Sequence, residues 1–117
     1  MLIHHFIKNI LAKHFGVIPR VDLPKMVRLA KVFEDKRGLS FRLNITNDGW
    51  VAECVDIPGI ITGGSEVNPS KQLMKNQIAD AIFSAFEIPE YLADPDFISQ
   101  EGDESHNTNS RFGLVYA

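Results

Sequence analysis

Cysteine is nearly missing from this chain: Cys54 is the one thiol in 117 residues. That excludes an internal disulfide framework and any zinc site built on cysteine pairs, and it is compatible with a reducing compartment. Long apolar runs are missing as well. No stretch reaches the about 18 apolar residues that a membrane-spanning helix needs, so no membrane association is expected. Residues 1–15 are apolar-rich but interrupted by Lys8, Asn9, Lys13 and His14. They carry neither a basic leader nor a small-residue cleavage site, so no signal peptide is expected and the cytoplasm is the expected location. Cations are scarce after residue 42. Residues 1–42 hold nine Lys/Arg against three Asp/Glu (+6), and residues 43–117 hold three against twelve (−9). Such a dipolar chain can show a basic surface to nucleic acid or an acidic one to a basic partner. The competing reading is that the halves interleave and pair their charges internally.

What is present suffices for one domain with a single modest core; 44% apolar and 23% charged residues are typical of a globular protein. The most informative stretch runs from Ser40 to Phe86. Phe41, Leu43 and Ile45 alternate with Ser40, Arg42, Asn44 and Thr46, the period of a strand with one buried face. Asp48-Gly49 signals a tight turn, because glycine reaches positive φ without a Cβ clash. Trp50–Ile57 reads as the returning strand. Pro58-Gly59 suits the centre of a type II turn, and Ile60, Ile61 and Thr62 begin a third strand broken by Gly63-Gly64. A helix follows, with Asn68 as expected N-cap and Pro69 at its first position. Leu73, Met74, Ile78, Ala81, Ile82, Ala85 and Phe86 form its expected apolar stripe, and Pro89 its stop.

Elsewhere the patterns leave more open. Leu2, Ile3, Phe6, Ile7, Ile10, Leu11 and Phe15 recur at helical spacing, with Gly16 as end cap. This N-terminal amphipathic helix is expected to pack on its own sheet, to form a dimer, or to face nucleic acid. His4, His5 and His14 lack metal geometry, since adjacent residues diverge by about 100° on a helix. Residues 17–25 read as an extended linker, because each proline biases its predecessor away from helix. Met26–Phe33 fits two periods: Val27 and Leu29 alternate as in a strand, while Met26, Leu29, Ala30 and Phe33 fit a helix. The polar turn at residues 34–38, just before the Ser40 strand, favours a hairpin and hence a strand. After Phe86 the chain turns acidic, and residues 101–110 read as a mobile loop. Residues 111–117 are expected to form a terminal strand docked on a sheet edge, its own or a neighbour's.

The residues Asp48-Gly49-Trp50-Val51-Ala52, Asp56-Ile57-Pro58-Gly59, Thr62-Gly63-Gly64-Ser65, and Asn76 with Asp80-Ala81-Ile82 together resemble the HicB-like antitoxin family. The resemblance covers residues 40–86. It implies an α+β fold related to a partial ribonuclease-H-like fold: a three- or four-stranded antiparallel meander packed on one main helix (β-β-β-α), to which the N-terminal amphipathic helix is added. It divides the single domain into residues 1–39 (helix, linker and extra strand), a 40–88 core, and an 89–117 acidic tail. It also implies a non-enzymatic module, without cofactor, that neutralises a small basic mRNA-cleaving toxin by protein–protein contact, as a homodimer or higher homo-oligomer. Members commonly carry a DNA-binding segment after the core, and the 31 residues after Phe86 show no such pattern.

Catalytic readings are weak. Ribonuclease-H-like chemistry needs carboxylates converging on two metal ions. The candidates are Glu53, Asp56 and Asp80, and residues three apart on a regular strand face opposite sides. Asp94-Pro95-Asp96 lacks the glycine and later ligands of a calcium loop. Gly63-Gly64-Ser65 lacks the lysine of a phosphate loop, and Cys54 in an apolar strand reads as packing. No metal or catalytic residue is therefore assigned. The candidate partner-binding residues are Glu53, Asp56, Asp94 and Asp96. Candidate nucleic-acid contacts are Lys8, Lys13, Arg20, Lys25 and Arg28, and Asp48, Gly49, Trp50, Pro58, Gly59, Gly63 and Gly64 carry the structural motif. The alternative to the antitoxin reading is a stand-alone oligomeric protein that reuses the fold for assembly, with nucleic-acid binding through the basic N-terminal region.

Overall fold

A computed structural model describes residues 20–101 and 109–114. The N-terminal helix expected over residues 2–15, with Lys8 and Lys13, lies outside the described residues. Among the described residues the class is α+β: a five-stranded antiparallel sheet with two α-helices. Along the chain run helix α1 (Leu23–Lys36), strands β1 (Leu39–Thr46), β2 (Gly49–Cys54) and β3 (Ile61–Gly64), helix α2 (Lys71–Ala85), two 3-10 turns (Glu90–Leu92 and Pro95–Phe97), and strands β4 (Ile98–Glu101) and β5 (Asn109–Leu114). In space the strand order is β3-β2-β1-β5-β4. No helix among the described residues is long and apolar enough to cross a membrane.

The β1–β2 hairpin follows from its alternation. Phe41 pairs with Cys54, Leu43 with Ala52 and Ile45 with Trp50, so the apolar residues of both strands share one face. The turn is Asn47-Asp48, and the positive φ falls on Gly49, at 139°. Thr46 tightens it: the Asp48 N–H donates to Thr46 Oγ1 (3.2 Å), and that hydroxyl donates to Gly49 O (3.2 Å). Gly59 also takes positive φ, at 100°.

Met26–Phe33 is helix, which corrects the expected strand. Met26, Leu29, Ala30 and Phe33 are all buried, the i, i+3, i+4, i+7 face of an amphipathic helix. The proline that suggested a linker sits in the first turn of α1, where an N–H would have no intrahelical partner anyway. The helix ends with Arg37 in the left-handed region (φ 55°) and the Gly38 N–H donating back to Phe33 O (2.9 Å), a Schellman closure. The chain thus enters β1 from a helix, and the sheet position beside β1 is open to another strand.

β5 takes that position. It pairs with β1 (Leu39 with Phe112, Phe41 with Ser110) and with β4 (Ile98 with Leu114). The C-terminal strand therefore lies inside its own sheet, between two neighbours, rather than on an edge. Of the expected acidic loop, Glu101 ends β4 while Asn109 and Ser110 begin β5; residues 102–108 lie outside the described residues. The sheet has five strands because β4 and β5 form a second antiparallel pair that the acidic composition concealed.

α2 starts later than expected. Ser70, not Asn68, is the N-cap, its hydroxyl accepting from the Leu73 N–H (3.1 Å), and Pro69 precedes the cap. Its buried residues are Ile78, Ala79, Ile82 and Phe83. The stripe is rotated from the expected one: Leu73, Met74 and Ala81 are half-buried and Ala85 is exposed. The Ile88 N–H donates to Phe83 O (2.9 Å) and Glu87 adopts φ 58°, so α2 closes as α1 does, before Pro89.

One core gathers Met26, Leu29 and Phe33 from α1, Phe41, Leu43, Trp50 and Ala52 from the hairpin, Ile78, Ile82 and Phe83 from α2, and Phe112 from β5. The opposite face of the sheet carries Arg42, Asn44, Thr46 and Val51, all exposed. Met26→Ala is expected to destabilise the protein by about 2–5 kcal/mol, and Val27→Ala by less than about 1 kcal/mol. Denaturant midpoints at equal m-value measure this; the reverse ranking would mean that strand alternation, not the helical face, sets burial here.

Candidate binding surfaces

The expected partner-binding carboxylates do not converge. Glu53 projects from β2 on the solvent face and lies 3.6 Å from Arg42 across the β1–β2 ladder. With side-chain exposures of 47% and 63%, this pair contributes at most about 1 kcal/mol. Asp56, past the end of β2, accepts the Ser40 N–H at 2.7 Å and fixes the chain where β1 begins. Asp94 accepts the Asp96 N–H at 2.9 Å and caps the second 3-10 turn. Asp96 is exposed and borders a groove between the N-terminal turn of α2 and β4, lined also by Lys71, Lys75, Ser99 and Gln100. In sheet order β1 and β5 separate the Glu53 strand from this groove.

Asp80, the third candidate for metal chemistry, is exposed on α2 and lines a different groove, beside β3. Among the described residues no group of three or more His, Cys, Asp or Glu side chains could hold a metal ion. Cys54 is buried in the core face of β2, its Sγ accepting from the Ile57 N–H at 3.4 Å. Burial pushes its thiol up from the ordinary value, which keeps it protonated and a poor nucleophile.

The candidate nucleic-acid contacts that are described cluster near α1. Arg20 is exposed in the turn before it, Lys25 is half-buried in its first turn, and Arg28 is exposed. Arg28 lies over the Phe86 ring, 5.6 Å from the centroid, so part of its surface covers the end of α2. Lys31, Lys36 and Arg37 are also exposed. Exposed carboxylates stand on α1 itself, at Asp35, and elsewhere at Asp48, Glu66, Asp80, Glu87, Glu90 and Asp96.

The motif residues sit where chain geometry needs them. Trp50 is 2% exposed and its Nε1–H donates to Glu66 Oε1 at 2.9 Å. A Cβ on Gly64 would fall 2.1 Å from that carboxylate oxygen and 3.0 Å from the indole nitrogen, so the missing side chain leaves room for the bond. Pro58 and Gly59 are exposed between β2 and β3.

Comparison with known proteins adds nothing to these placements. No family model, curated protein or solved structure matches this chain.

Two polar anchors escaped the sequence reading. Arg111 on β5 donates from Nη1 to Ser40 Oγ (2.7 Å) and from Nη2 to Lys36 O (2.9 Å) and to Arg37 O, holding the last carbonyls of α1 on the sheet. Asp22, 8% exposed, accepts the Tyr91 hydroxyl at 2.6 Å, which ties the start of α1 to the first 3-10 turn. Both pairs are long-range, and no local pattern in the sequence marks them. Although Tyr91 is 47% exposed, partial loss of water, and then the hydrogen bond and the charge of Asp22, push its phenol up to about 12. A raised folded-state value favours the neutral phenol, so this contribution to stability is present below the ordinary value of 10.0 and lost as pH climbs through about 12. In a Tyr116→Phe background, ultraviolet titration should place the Tyr91 midpoint near 12, and Asp22→Asn should bring it part of the way towards the ordinary value. Asp56→Ala should destabilise the fold by about 1–3 kcal/mol through the orphaned Ser40 N–H, and Asp96→Ala by less than about 0.5 kcal/mol. Equal effects in denaturant melts would show that Asp56 has no anchoring role.

Proposed function

We propose that this chain is a HicB-like, non-enzymatic binding module that neutralises a small basic mRNA-cleaving protein by direct contact. The observation that carries the reading is the succession β1, β2, β3, α2 over the stretch with the resemblance, with the tight turn at Gly49, Gly59 between β2 and β3, and Gly63-Gly64 at the end of β3. Glu53 and Asp56 are engaged within the fold, so the contact to a basic partner moves to the carboxylates of α2 and the segment after it: Asp80, Glu87, Glu90 and Asp96. Complementary charge of this kind steers association more than it adds to final affinity. The proposed location is the cytoplasm.

A second reading has its own observation. Arg20, Arg28 and Lys31 are exposed around α1, which favours a stand-alone oligomeric protein with a nucleic-acid contact there. Retention of duplex DNA or RNA would then fall steeply with added salt.

Affinity capture of the tagged chain from its native host, with and without nuclease treatment, separates the readings. The expected result is a stoichiometric small basic protein that survives nuclease and cleaves RNA only when freed from this chain. Reversing Asp80, Glu87 and Glu90 to Lys should slow its association by about tenfold or more. Recovery of this chain alone, or of a partner whose RNA cleavage it leaves unchanged, overturns the antitoxin reading. Loss of all co-purifying material on nuclease treatment favours the second.

A further inference from the structure

The two edges of the sheet are built differently. β4, at one edge, is Ile98-Ser99-Gln100-Glu101. A charged residue within an edge strand discourages a second copy from adding to it. β3, at the other edge, is Ile61-Thr62-Gly63-Gly64 and carries no charge, proline or bulky polar group. The Cys54 N–H donates to Ile60 O at 2.9 Å, and Ala52 pairs with Thr62. Antiparallel alternation therefore turns Thr62 and Gly64 towards β2 and leaves the N–H and C=O of Ile61 and Gly63 pointing off the sheet.

The side chains beside this edge are apolar and exposed: Ile61 is 55% and Val51 49% exposed. They share the solvent face, because Ile61 pairs with Glu53 and Val51 with Gly63. On the other face, the groove beside β3 is bordered by Ala81, Ser84 and Ala85 of α2, a row of small side chains that admits a close neighbour.

We propose that the β3 edge joins two copies of this chain, antiparallel about a two-fold axis at Thr62, into a continuous ten-stranded sheet. The register follows from the edge itself. With Thr62 opposite Thr62 of the second copy, Ile61 meets the copy's Gly63 and Gly63 meets its Ile61, so every outward N–H and C=O of the two residues finds a partner. On the solvent face each Ile61 then lies over a glycine that has no side chain, within reach of the copy's Val51. This match of a protruding side chain to a gap, repeated by symmetry, is what selects a second copy over an unrelated strand. A four-residue edge alone falls short of the roughly 1,200–2,000 Å² that stable interfaces bury, so the small-residue row of α2 and its counterpart close the rest. Asp80 borders the same groove, and two such carboxylates near one axis make association tighten with added salt; a basic strand docked here would loosen instead. The inference rests on the edge rather than on the partner proposed above, although Asp80 borders both surfaces.

Light scattering after size exclusion, on the full-length chain over a dilution series, reads the outcome. The wild type should have twice the mass of one chain at high concentration, and more so in higher salt. Ile61→Lys, at a site exposed in the single chain, should raise the dissociation constant by about tenfold or more while leaving the circular dichroism unchanged. Thr62→Cys should form an intermolecular disulfide on mild oxidation, because residues facing each other in a non-hydrogen-bonded pair have Cα atoms about 4.5 Å apart. The wild type, whose Cys54 is buried, should not. A wild type that stays monomeric throughout the series overturns the proposal. So does a dimer that is undisturbed by Ile61→Lys and not cross-linked through Thr62→Cys. A monomer whose Ile61 and Gly63 amides gain exchange protection only when a basic partner is added also overturns it, and assigns the edge to that partner.

Discussion

The contact between Phe41 and Phe112 closes this chain on itself. Their rings meet edge to face at 5.7 Å between centroids and 89° between planes. Both are fully buried. Each sits on the core face of its strand, and their strands are the first and the last of the described chain. Such a pair adds about 0.5–1.5 kcal/mol beyond the area it buries. Its larger consequence is topological. With β5 seated against β1, the hairpin β1–β2 becomes the middle of a sheet, β4 gains a neighbour, and the segment from Phe86 to Phe97 must cross the core face to reach β4. That crossing delivers Ile88 and Leu92 to the core and places Tyr91 within reach of Asp22.

The same closure explains what could be read from the sequence and what could not. β1, β2 and β3 show in the sequence because their signals are local: period-two alternation, Gly49 at a turn, Gly59 between strands. α1 sends two signals over the same residues. Val27 and Leu29 alternate, yet Met26, Leu29, Ala30 and Phe33 lie on one helical face, and the helical set is the one that contacts the core. The tie is broken by long-range packing, and by the fact that proline in the first turn of a helix loses no hydrogen bond. β4 and β5 are four and six residues long and flank a polar stretch. Their pairing depends on Phe112 finding Leu39 and Phe41, a relation between residues about seventy positions apart that no window along the chain contains.

The turns at Gly49 and Gly59 are legible in the sequence, because positive φ is a local demand of the backbone. The surroundings of the carboxylates are less legible. Composition counts Asp56 and Asp80 as equal members of an acidic half, yet Asp56 accepts a backbone N–H at the start of β1 while Asp80 stands exposed on α2. Which carboxylates remain for a partner depends on which backbone donors the fold leaves unpaired nearby, and that is fixed only once the strands are seated. The charge split behaves likewise. Arg42 and Glu53 come from opposite halves and face each other across the hairpin, whereas the exposed cations of α1 and the exposed carboxylates of α2 and the turns after it stay on separate elements.

Among the described residues the two helices lie on one face of the sheet, which leaves three surfaces: the helical face, the opposite face and the edges. Here they differ in chemistry. The opposite face is polar over β1, with Arg42, Asn44 and Thr46, and apolar towards β3, at Val51 and Ile61. The helices carry exposed charges of both signs. Among the described residues, outward-pointing backbone groups, exposed apolar side chains and missing side chains coincide at the β3 edge. Gly63 is required there for a reason internal to the single chain, since a Cβ would fall 2.3 Å from Trp50 O. A residue imposed by packing within the hairpin thereby leaves the edge open. A larger residue, which could have shielded the edge, is excluded by Trp50, and so the packing that stabilises the core also determines which side of the sheet is free to grow.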